Sequence, residues 1–502
     1  MVIARNKKRK DRGKDRRFLN GKMNKRMTSI TNKVSVGAVV TIAVIVLAYI
    51  YNRYKLENNS QVLEKTLTSL LREESSVAVN PNIKVALGFG SCQDIIVQSN
   101  EVIFDSAPDN PEHYYSISTK EQFLKVFAYF YRFGAAAERF ISNSSFFAEL
   151  VKFAREAPSA RYFIGGNAPV MAKRFSKEGW KNILLGAQVS QSLQKEFPPG
   201  IQISGPIVEE DDIHLLLEYP SGQKWGSFVP PRANRFIVHN DHQNPQLSSL
   251  GTFVKEVEKF KPDVLVIGGL QMMDNFPMPE SKQRDRLQKV QELMKSQPDE
   301  RRIHFEMASF SDENLLRNLV ENVIPYADSL GMNEQELPNL YQMIEYGNIS
   351  LLADSRPRIA DILDEMRKVY KVLQEGSMNQ GHRKLTRLHV HTLAFQAFMV
   401  QKNSPWKNIK AAAAKAALTA NRHTCGSDTI DVNKAKLLMD DAFTTSSKPG
   451  SRRIPFDPKD PVSCWDENNY TVCIAPVLVC TDVLQTGGGG DNISSSGLVL
   501  QI

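Results

Sequence analysis

A run of four glycines at residues 487–490 is followed directly by Asp491, close to the C-terminus of the chain. Glycine lets the backbone approach a ligand closely and adopt φ > 0. Residues 493–500 then suit a helix, and the free N–H groups at a helix N-terminus, together with the helix dipole, bind phosphate. Because a carboxylate repels phosphate, Asp491 would instead take a proton from an attacking hydroxyl. The segment predicts a phosphoryl-transfer site, or else a flexible turn before a helix.

Further carboxylates and amides lie at or just beyond the ends of predicted strands, at Asp94, Asn167, Glu306 and residues 333–336. Carboxylates with oxygen-rich neighbours are what Mg²⁺ needs beside a substrate phosphate, usually through water. Each position also has a structural explanation: a strand Glu commonly faces solvent, and residues 333–336 fit a helix cap. Only together do they indicate metal-assisted phosphoryl transfer.

The elements that must position these residues follow an alternating pattern. Short apolar runs that end in glycine recur at residues 82–90, 161–167 and 263–269, and residues 302–307 and 472–480 are further strand candidates. Helical patterns lie between or after them, at residues 123–140, 168–175 and 407–420. This alternation predicts an α/β fold with an open, mostly parallel sheet flanked by helices, whose ligands bind at the carboxyl ends of strands.

Two stretches break that rhythm, residues 97–118 and 200–242, which look like short strands joined by turns. We expect them to form a small β-rich lid inserted twice into the large domain. A lid suits phosphoryl transfer, because water in the site would hydrolyse the donor.

The net charge of +8, from 63 Lys and Arg against 55 Asp and Glu, is unevenly spread. Residues 1–33 hold thirteen Lys or Arg and two Asp, a net charge of +11, so the remainder carries −3. The basic character therefore belongs to an N-terminal tail, and nucleic-acid binding by the main domain is not expected. The tail itself suits contact with acidic lipid or nucleic acid.

An uncharged segment at residues 34–51 follows the tail and is about long enough to span a bilayer as a helix. The long basic start and the lack of a clear cleavage site favour an uncleaved signal anchor over a cleaved signal peptide or a buried helix. The positive-inside rule then places residues 1–33 in the cytosol. We expect a stalk at residues 52–80 and a lumenal catalytic domain at residues 81–502, in the endoplasmic reticulum membrane or, alternatively, secreted.

The five cysteines show no CxxC spacing, which argues against a zinc site. In a lumenal domain we expect one disulfide and choose Cys425 with Cys480, because both lie late in the large domain near the expected nucleotide. The alternative is five free, buried thiols. The chain also lacks GxxxxGK[ST], GxSxG and HExxH, and Gly88-x-Gly90 lacks the third glycine of a dinucleotide fingerprint.

Taken together, four segments resemble the ADP-dependent glucokinases of the ribokinase-like superfamily, in the membrane-targeted eukaryotic type. They are residues 165–168 (GGNA), 304–309 (HFEMAS), 330–336 (LGMNEQE) and 488–491 (GGGD). The resemblance covers about residues 80–502 in order. It implies a monomeric kinase with a ribokinase-like sheet and an inserted lid, which phosphorylates D-glucose from ADP and releases AMP.

The resemblance also implies the catalytic roles. Asp491 would be the base on the sugar 6-hydroxyl and lies by the metal, while Glu306 and Glu336 would hold Mg²⁺ through water. This chain has four consecutive glycines where the superfamily usually has a less flexible loop, which would loosen the anion hole.

Binding roles follow from the same likeness. The nucleotide phosphates would be met by one arginine, one asparagine and three glycines: Arg235, Asn333, Gly488, Gly489 and Gly490. The sugar hydroxyls would be bound by five further residues: Asp94, Glu138, Gly166, Asn167 and His214. The alternatives are an ATP-dependent sugar or nucleoside kinase and a non-catalytic lumenal sugar sensor; the intact Asp491, Glu306 and Glu336 argue against the sensor.

The charge asymmetry around residues 34–51 generates a topology prediction. In sealed microsomes, a tag placed after residue 502 should resist protease until detergent is added, because the bulk of the chain would be lumenal. A tag at the N-terminus, as the matched control, should be digested at once. Digestion of the C-terminal tag without detergent would contradict the prediction.

Overall fold

The computed structural model describes Thr41, residues 44–49, residue 57, and residues 59–352, 354, 356–376 and 381–502. The chain separates into two compact units, Met1–Val62 and Leu63–Ile502. The described residues of the first unit are helical and mostly exposed. Nowhere in the described part of the chain is a helix both long and apolar enough to cross a membrane. The predicted tail and the predicted anchor lie outside the described residues, except at Thr41 and residues 44–49.

From residue 59 onward, helices alternate with strands along most of the chain. In chain order they are α1 (residues 59–75), α2 (Lys120–Tyr131), α3 (Ser144–Glu156), α4 (Asn167–Lys177), α5 (Gln191–Gln194), α6 (Leu250–Phe260), α7 (Glu280–Lys295), α8 (Glu313–Asn322), α9 (Glu336–Tyr346), α10 (Ile359–Gly376), α11 (Ile409–Cys425) and α12 (Gly489–Val499). Side-chain caps fix several starts: Asn143 accepts a hydrogen bond from the Phe146 N–H, 3.1 Å away, at the beginning of α3.

The strands supply one large sheet and several smaller ones. In chain order they are β1 (Lys84–Gly88), β2 (Cys92–Gln98), β3 (Ala137–Phe140), β4 (Arg161–Gly165), β5 (Asn182–Gly186), β6 (Val189–Ser190), β7 (Ile201–Ser204), β8 (Ile207–Val208), β9 (Ile213–Tyr219), β10 (Asn234–His239), β11 (Val264–Ile267), β12 (Arg302–Glu306), β13 (Ser329–Asn333), β14 (Arg387–His391), β15 (Phe395–Gln401), β16 (Ala435–Lys436), β17 (Ala442–Thr444), β18 (Arg453–Pro455), β19 (Ser463–Glu467), β20 (Tyr470–Pro476) and β21 (Val479–Cys480).

Ten strands form the large sheet, in the order β19-β20-β15-β14-β13-β12-β11-β1-β5-β7. Neighbours from β7 to β14 pair in parallel, and β15, β20 and β19 continue antiparallel. The predicted α/β class, with an open and mostly parallel sheet, is confirmed. The carboxyl ends of β12, β13 and β14 lie side by side, so residues that end these strands meet at one edge.

Helices cover both faces of the large sheet, because its side chains alternate between two cores. Ala86 packs in the core formed with α6 to α10, whereas Val85 and Leu87 pack in the core formed with α4, α11 and α12. Leu70 of α1 is fully buried in the second core. Residues 63–75, which fall within the stretch expected to be a stalk, are therefore packed against the large domain.

A second sheet of five strands, ordered β3-β10-β9-β2-β4, carries α2 and α3 on one face. Its strands only partly overlap the residues expected to form a lid. Within residues 97–118 only the end of β2 is strand, and residues 201–204 form β7 of the large sheet. The small sheet also includes β4, whose residues we expected to belong to the large sheet, paired antiparallel with β2.

The helix predicted over residues 123–140 ends much earlier than expected. α2 stops at Tyr131, the chain reverses through Gly134 at φ +59, and residues 137–140 form β3. The helical spacing of apolar residues continues past the end of α2, because Ala137 is buried in the same core as that helix and Phe140 is buried as well. Only a glycine at positive φ marks the turn.

Two disulfides lie in the large domain, Cys425–Cys480 and Cys464–Cys473. The first confirms the predicted pairing and ties the end of α11 to β21, the strand before the glycine run. The second joins the neighbouring strands β19 and β20, opposite each other in register, and was not predicted. Cys92 is free and buried.

The two disulfides should differ in their contribution to stability. The Cys425–Cys480 bridge closes a loop of 55 residues and the Cys464–Cys473 bridge one of 9, so loop-closure entropy gives about 4 kcal/mol for the first and about 2.5 kcal/mol for the second. Replacing both cysteines of one bridge by alanine should therefore lower the free energy of unfolding more for the 425–480 pair. Denaturant titration of the two double variants measures this.

Peptide mapping under non-reducing conditions is the control for that comparison. It should recover Cys425 joined to Cys480 and Cys464 joined to Cys473, with Cys92 alkylated without prior reduction. Recovery of Cys425 and Cys480 as separate alkylated peptides would contradict the pairing.

Candidate active site

A cavity of about 630 Å³ lies between the edge of the large sheet, the small sheet and the start of α12. Its wall includes all thirteen residues predicted from the sequence to form the site: Asp94, Glu138, Gly166, Asn167, His214, Arg235, Glu306, Asn333, Glu336, Gly488, Gly489, Gly490 and Asp491. The fold thus brings together residues almost 400 positions apart in the chain. Their individual roles stay predictions.

Asp491 lies in the first turn of α12. Its Oδ1 accepts a hydrogen bond from Asn167 Nδ2 at 3.0 Å, and Asn167 Oδ1 accepts one from Gln271 at 2.6 Å. Burial and the nearby charge of Glu306 raise the pKa of Asp491 to about 8, although the hydrogen bond from Asn167 opposes this rise. Asn167 therefore fixes the direction of a carboxyl group whose pKa lies near neutral pH, as a general base requires.

The N-terminus of α12 offers backbone donors beside Asp491. Gly488 precedes the helix at φ +66, and the first N–H groups of any α-helix lack partners within it. A Cβ at Gly490 would come within 3.0 Å of the His391 ring. Glycine at these two positions thus leaves the donors open to the cavity, as an anion site requires.

Glu306 ends β12 and is buried at the cavity wall. Its Oε2 accepts hydrogen bonds from His304 Nε2 at 2.9 Å and Ser494 Oγ at 2.6 Å, and its Oε1 lies 3.9 Å from His391 Nε2. Burial alone would raise the pKa of Glu306, but the two histidines lower it to about 2. Glu306 is therefore a permanent negative charge.

A chain of buried polar groups behind Glu306 sets the tautomer of His304. Arg387 Nη1 donates to Ser329 Oγ at 2.9 Å, so the Ser329 hydroxyl is free to donate to His304 Nδ1, 2.8 Å away. His304 then carries its proton on Nε2 and donates it to Glu306. Burial lowers the pKa of His304, which keeps the ring neutral.

The sequence left open whether residues 333–336 bind a metal or cap a helix. In the structure Glu336 and Asn333 form a reciprocal cap at the start of α9. The Glu336 carboxylate accepts from the Asn333 backbone N–H at 2.8 Å and from its Nδ2 at 2.7 Å, while Asn333 Oδ1 accepts from the Glu336 N–H at 2.9 Å. Burial raises the pKa of Glu336 to about 7. The cap holds this carboxyl group at the cavity wall, so the structural role and a functional one are compatible.

On the small sheet, Asp94 of β2 lies opposite His214 of β9. The His214 ring contacts Glu138 Oε1 through Nδ1 at 3.3 Å and Asp241 Oδ2 through Nε2 at 2.9 Å. Burial would lower the pKa of His214, but Asp241 above all, together with Cys92, raises it well above its ordinary value. The ring is a cation between two carboxylates, and this wall of the cavity is rich in groups that bind hydroxyls.

Arg235 of β10 also lines the cavity. Its Nη1 donates to Asn234 Oδ1 at 3.2 Å, while its buried Nε has no hydrogen-bond partner. An unpaired buried guanidinium N–H is costly unless a ligand satisfies it.

Gly166 also lines the cavity and adopts φ +89. A Cβ at this position would lie 2.1 Å from the Gly90 carbonyl oxygen.

The carboxylates of Glu306, Glu336 and Asp491 suit a hydrated cation better than direct coordination. Within the described residues, the groups close enough to hold an ion directly are Cys92, Asp94 and His214, and His214, His239 and Asp241. The three cavity carboxylates belong to neither group. Burial, followed by repulsion from Glu306 and Glu336, raises the pKa of Asp491, and this unfavourable negative charge is the observation that favours a cation. Mg²⁺ commonly retains several of its waters.

Sequence reasoning missed several contributors to the site, among them Asp241, His391 and Ser494. His391 ends the strand that reads Arg-Leu-His-Val-His, an alternation of polar and apolar residues that predicts a strand but was overlooked. Asp241 lies two positions after the end of β10, where residues that bind ligands are commonly found. Ser494 had no sequence signal beyond its place in α12.

The sequence matches the conserved region of ADP-specific phosphofructokinases and glucokinases over residues 83–500. A Bos taurus protein named ADP-dependent glucokinase is 32% identical over 422 residues, which cover 83% of this chain and 84% of that protein. A Caenorhabditis elegans protein named probable ADP-dependent glucokinase is 27% identical over 434 residues, with the same coverage of 83% and 84%.

A solved ADP-dependent kinase, in complex with fructose 6-phosphate and ADPβS, matches with a TM-score of 0.63 at 18% identity. The match covers 87% of this chain and 97% of that one. At this identity the likeness shows the fold alone, and it agrees with the open, mostly parallel sheet flanked by helices that the sequence predicted.

The raised pKa values of Asp491 (about 8) and Glu336 (about 7) generate a pH prediction. Both groups bind protons more tightly in the folded protein than their ordinary values of 3.8 and 4.5 allow. The contribution of these two groups to the free energy of unfolding of the metal-free protein should therefore be fully present below about pH 4. It should fall as the pH rises toward 8, by up to about 1.4 kcal/mol per pH unit per group.

Asp491→Asn should flatten that slope and raise the melting temperature at pH 8. Asp285→Asn on the exposed surface of α7 is the matched control and should leave the slope unchanged. Melting curves between pH 5 and pH 8 in chelator decide the matter. An unchanged slope in Asp491→Asn would contradict the raised pKa.

Proposed function

The chain belongs to the family of ADP-specific phosphofructokinases and glucokinases, and we propose that it transfers the β-phosphoryl group of ADP to the 6-hydroxyl of D-glucose and releases AMP. The observation that carries the proposal is Asp491, a carboxyl group with a pKa near neutrality at the N-terminal turn of α12. It faces a cavity that also presents hydroxyl-binding groups.

The wall of the cavity that carries Asp94, Glu138 and His214, here called the sugar wall, favours glucose over a phosphorylated sugar. Asp94 and Glu138 both line it, and the positive charge of His214 is already held between Glu138 and Asp241. A phosphate group on the acceptor would bring about two negative charges next to these carboxylates. A neutral hexose instead offers hydroxyls that donate to them.

Different residues of the cavity carry out different parts of the reaction. Asn167 directs Asp491, which accepts the proton of the attacking hydroxyl. The N–H groups of Gly489 and Gly490 stabilise the charge that develops on the transferred group, and Arg235 supplies the fixed positive charge on the phosphates. Positioning and electrostatic stabilisation together account for most catalysis of phosphoryl transfer.

Mg²⁺, held through water by Glu306 and Glu336, would neutralise phosphate charge and lower the pKa of Asp491 when bound. The fixed negative charge of Glu306 suits this task, because its pKa of about 2 keeps it ionised at any physiological pH. The Glu336 cap holds the second carboxyl group in place without added flexibility.

We also propose that the protein is a monomer anchored in the endoplasmic reticulum membrane with its catalytic domain in the lumen. The basic tail before the apolar residues 34–51 supports this location. The two disulfides support it as well, since such bonds persist in oxidising compartments.

Glucose phosphorylation should require ADP and Mg²⁺, and ATP should not replace ADP. A coupled assay for glucose 6-phosphate, with AMP measured as the second product, compares the two donors side by side. Equal rates with ATP would favour an ATP-dependent kinase of the same superfamily, and glucose binding without turnover would favour a sugar sensor.

Asp491→Asn should lower kcat by about 10²–10⁴-fold and leave glucose binding largely intact, because only the proton acceptor is lost. Asp285→Asn is again the control and should keep wild-type kcat. A variant at position 491 that retains more than about a tenth of wild-type kcat would remove Asp491 from the base role.

A further inference from the structure

The loop before α12 is in direct contact with the small sheet. Glu218 Oε1, on β9, accepts hydrogen bonds from the Thr486 backbone N–H, from Thr486 Oγ1 at 2.9 Å and from the Gly487 N–H at 3.3 Å. A Cβ at Gly487 would lie only 2.5 Å from Leu216 Cδ2 of the same strand. The first glycine of the run is therefore fitted closely against β9.

Glu218 is itself fixed on the small sheet. Its Oε2 accepts from Arg161 Nη2 of β4 at 3.0 Å, and the same nitrogen donates to the Leu484 carbonyl at 2.9 Å. The Glu218 side chain is only 6% exposed. A buried carboxylate with this many donors is a costly arrangement unless each donor is in place, because an unpaired buried charge is strongly destabilising.

The Gly487 peptide is held from two sides. Its N–H donates to Glu218 of the small sheet, while its carbonyl oxygen accepts from His423 Nε2 of α11 at 2.8 Å. Burial lowers the pKa of His423 to about 4, so the ring is neutral and serves as a donor through this nitrogen. Without the small sheet, only the α11 side would hold this peptide.

The same strand carries the sugar wall. His214, Leu216 and Glu218 alternate along β9 and so share one face of the sheet. His214 and Glu218 lie four positions apart, about 13 Å along an extended strand. A sugar that docks at His214 thus positions, through one rigid strand, the carboxylate that holds the glycine loop.

We propose that Glu218 is a positioning residue that makes the anion hole depend on closure of the small sheet over the sugar. Four consecutive glycines sample many backbone conformations, so the loop needs an external restraint to present its donors in one geometry. Because Glu218 supplies that restraint from the sugar-binding sheet, the donors are ordered when an acceptor hydroxyl is present. The inference rests on the proposed kinase function, and such a dependence would limit hydrolysis of the donor in the absence of sugar.

The test compares Glu218→Gln with the wild-type full chain and with Glu210→Gln, an exposed glutamate that precedes β9. The glutamine keeps the size of the side chain but loses the charge that three donors and Arg161 share. We expect kcat for glucose phosphorylation to fall at least about tenfold, with the glucose KM changed less than about threefold. Glu210→Gln should match the wild type in both.

Amide hydrogen exchange provides a readout that needs no turnover. In the wild type, D-glucose should slow exchange in peptides that cover residues 484–491, and Glu218→Gln should exchange faster there and lose the glucose effect. Thr486→Ala removes only the hydroxyl donor and serves as the second variant, with a smaller change in the same direction. It keeps the proposal testable if Glu218→Gln folds poorly.

Each outcome has one meaning. Faster loop exchange with a selective loss of kcat supports the proposal. Unchanged loop exchange, or a fall in kcat of less than about tenfold, overturns it. If Glu218→Gln shows a general fall in melting temperature, Thr486→Ala decides the matter, and unchanged loop exchange in that variant overturns the proposal. Wild-type protein that fails to phosphorylate glucose from ADP would overturn the proposed function, while the exchange measurement would still report whether Glu218 restrains the loop.

Discussion

Three carboxyl groups share one buried wall of the cavity, and the cost of their charges shapes the rest of the site. Glu306 stays ionised because two histidines contact it, and its charge helps to raise the pKa of Asp491. The protein can relieve this repulsion by protonation or by taking up positive charge. The polar chain through His304, the cap at Glu336 and the N-terminus of α12 all hold negative groups in positions that a cation and a phosphate chain would complete.

Much of this arrangement was predictable from the sequence, because the residues that do the chemistry lie where the chain changes element. Glu306 ends an apolar strand, Asn167 begins a helix after two glycines, and Asp491 follows the glycine run. Each of these residues also has a structural explanation at such a junction, and only together do they indicate phosphoryl transfer. The pairing of Cys425 with Cys480 was also within reach, since both were expected near the nucleotide end of the fold.

The features that the sequence did not predict depend on contacts between distant segments, which local sequence patterns do not encode. The small sheet mixes parallel and antiparallel pairs from five distant segments, so its bounds are set by tertiary pairing and not by periodicity. Asp241 is recognisable only through the ring of His214 that it orients. The second disulfide joins strands whose antiparallel neighbour relation the sequence did not show.

The alanine-rich stretch of α11 carries no group that could take part in the reaction, yet this helix packs beside α12, which carries Asp491. Six of its alanines, at positions 411–414, 416 and 417, are at most 2% exposed, and the helix lies along α12. Small side chains let two helices approach closely, and interiors at native density transmit even one added methylene. A larger residue at an alanine that faces α12 would push that helix, and with it Asp491, out of alignment. A substitution at such an alanine should therefore impair activity, although none of these six residues lines the cavity.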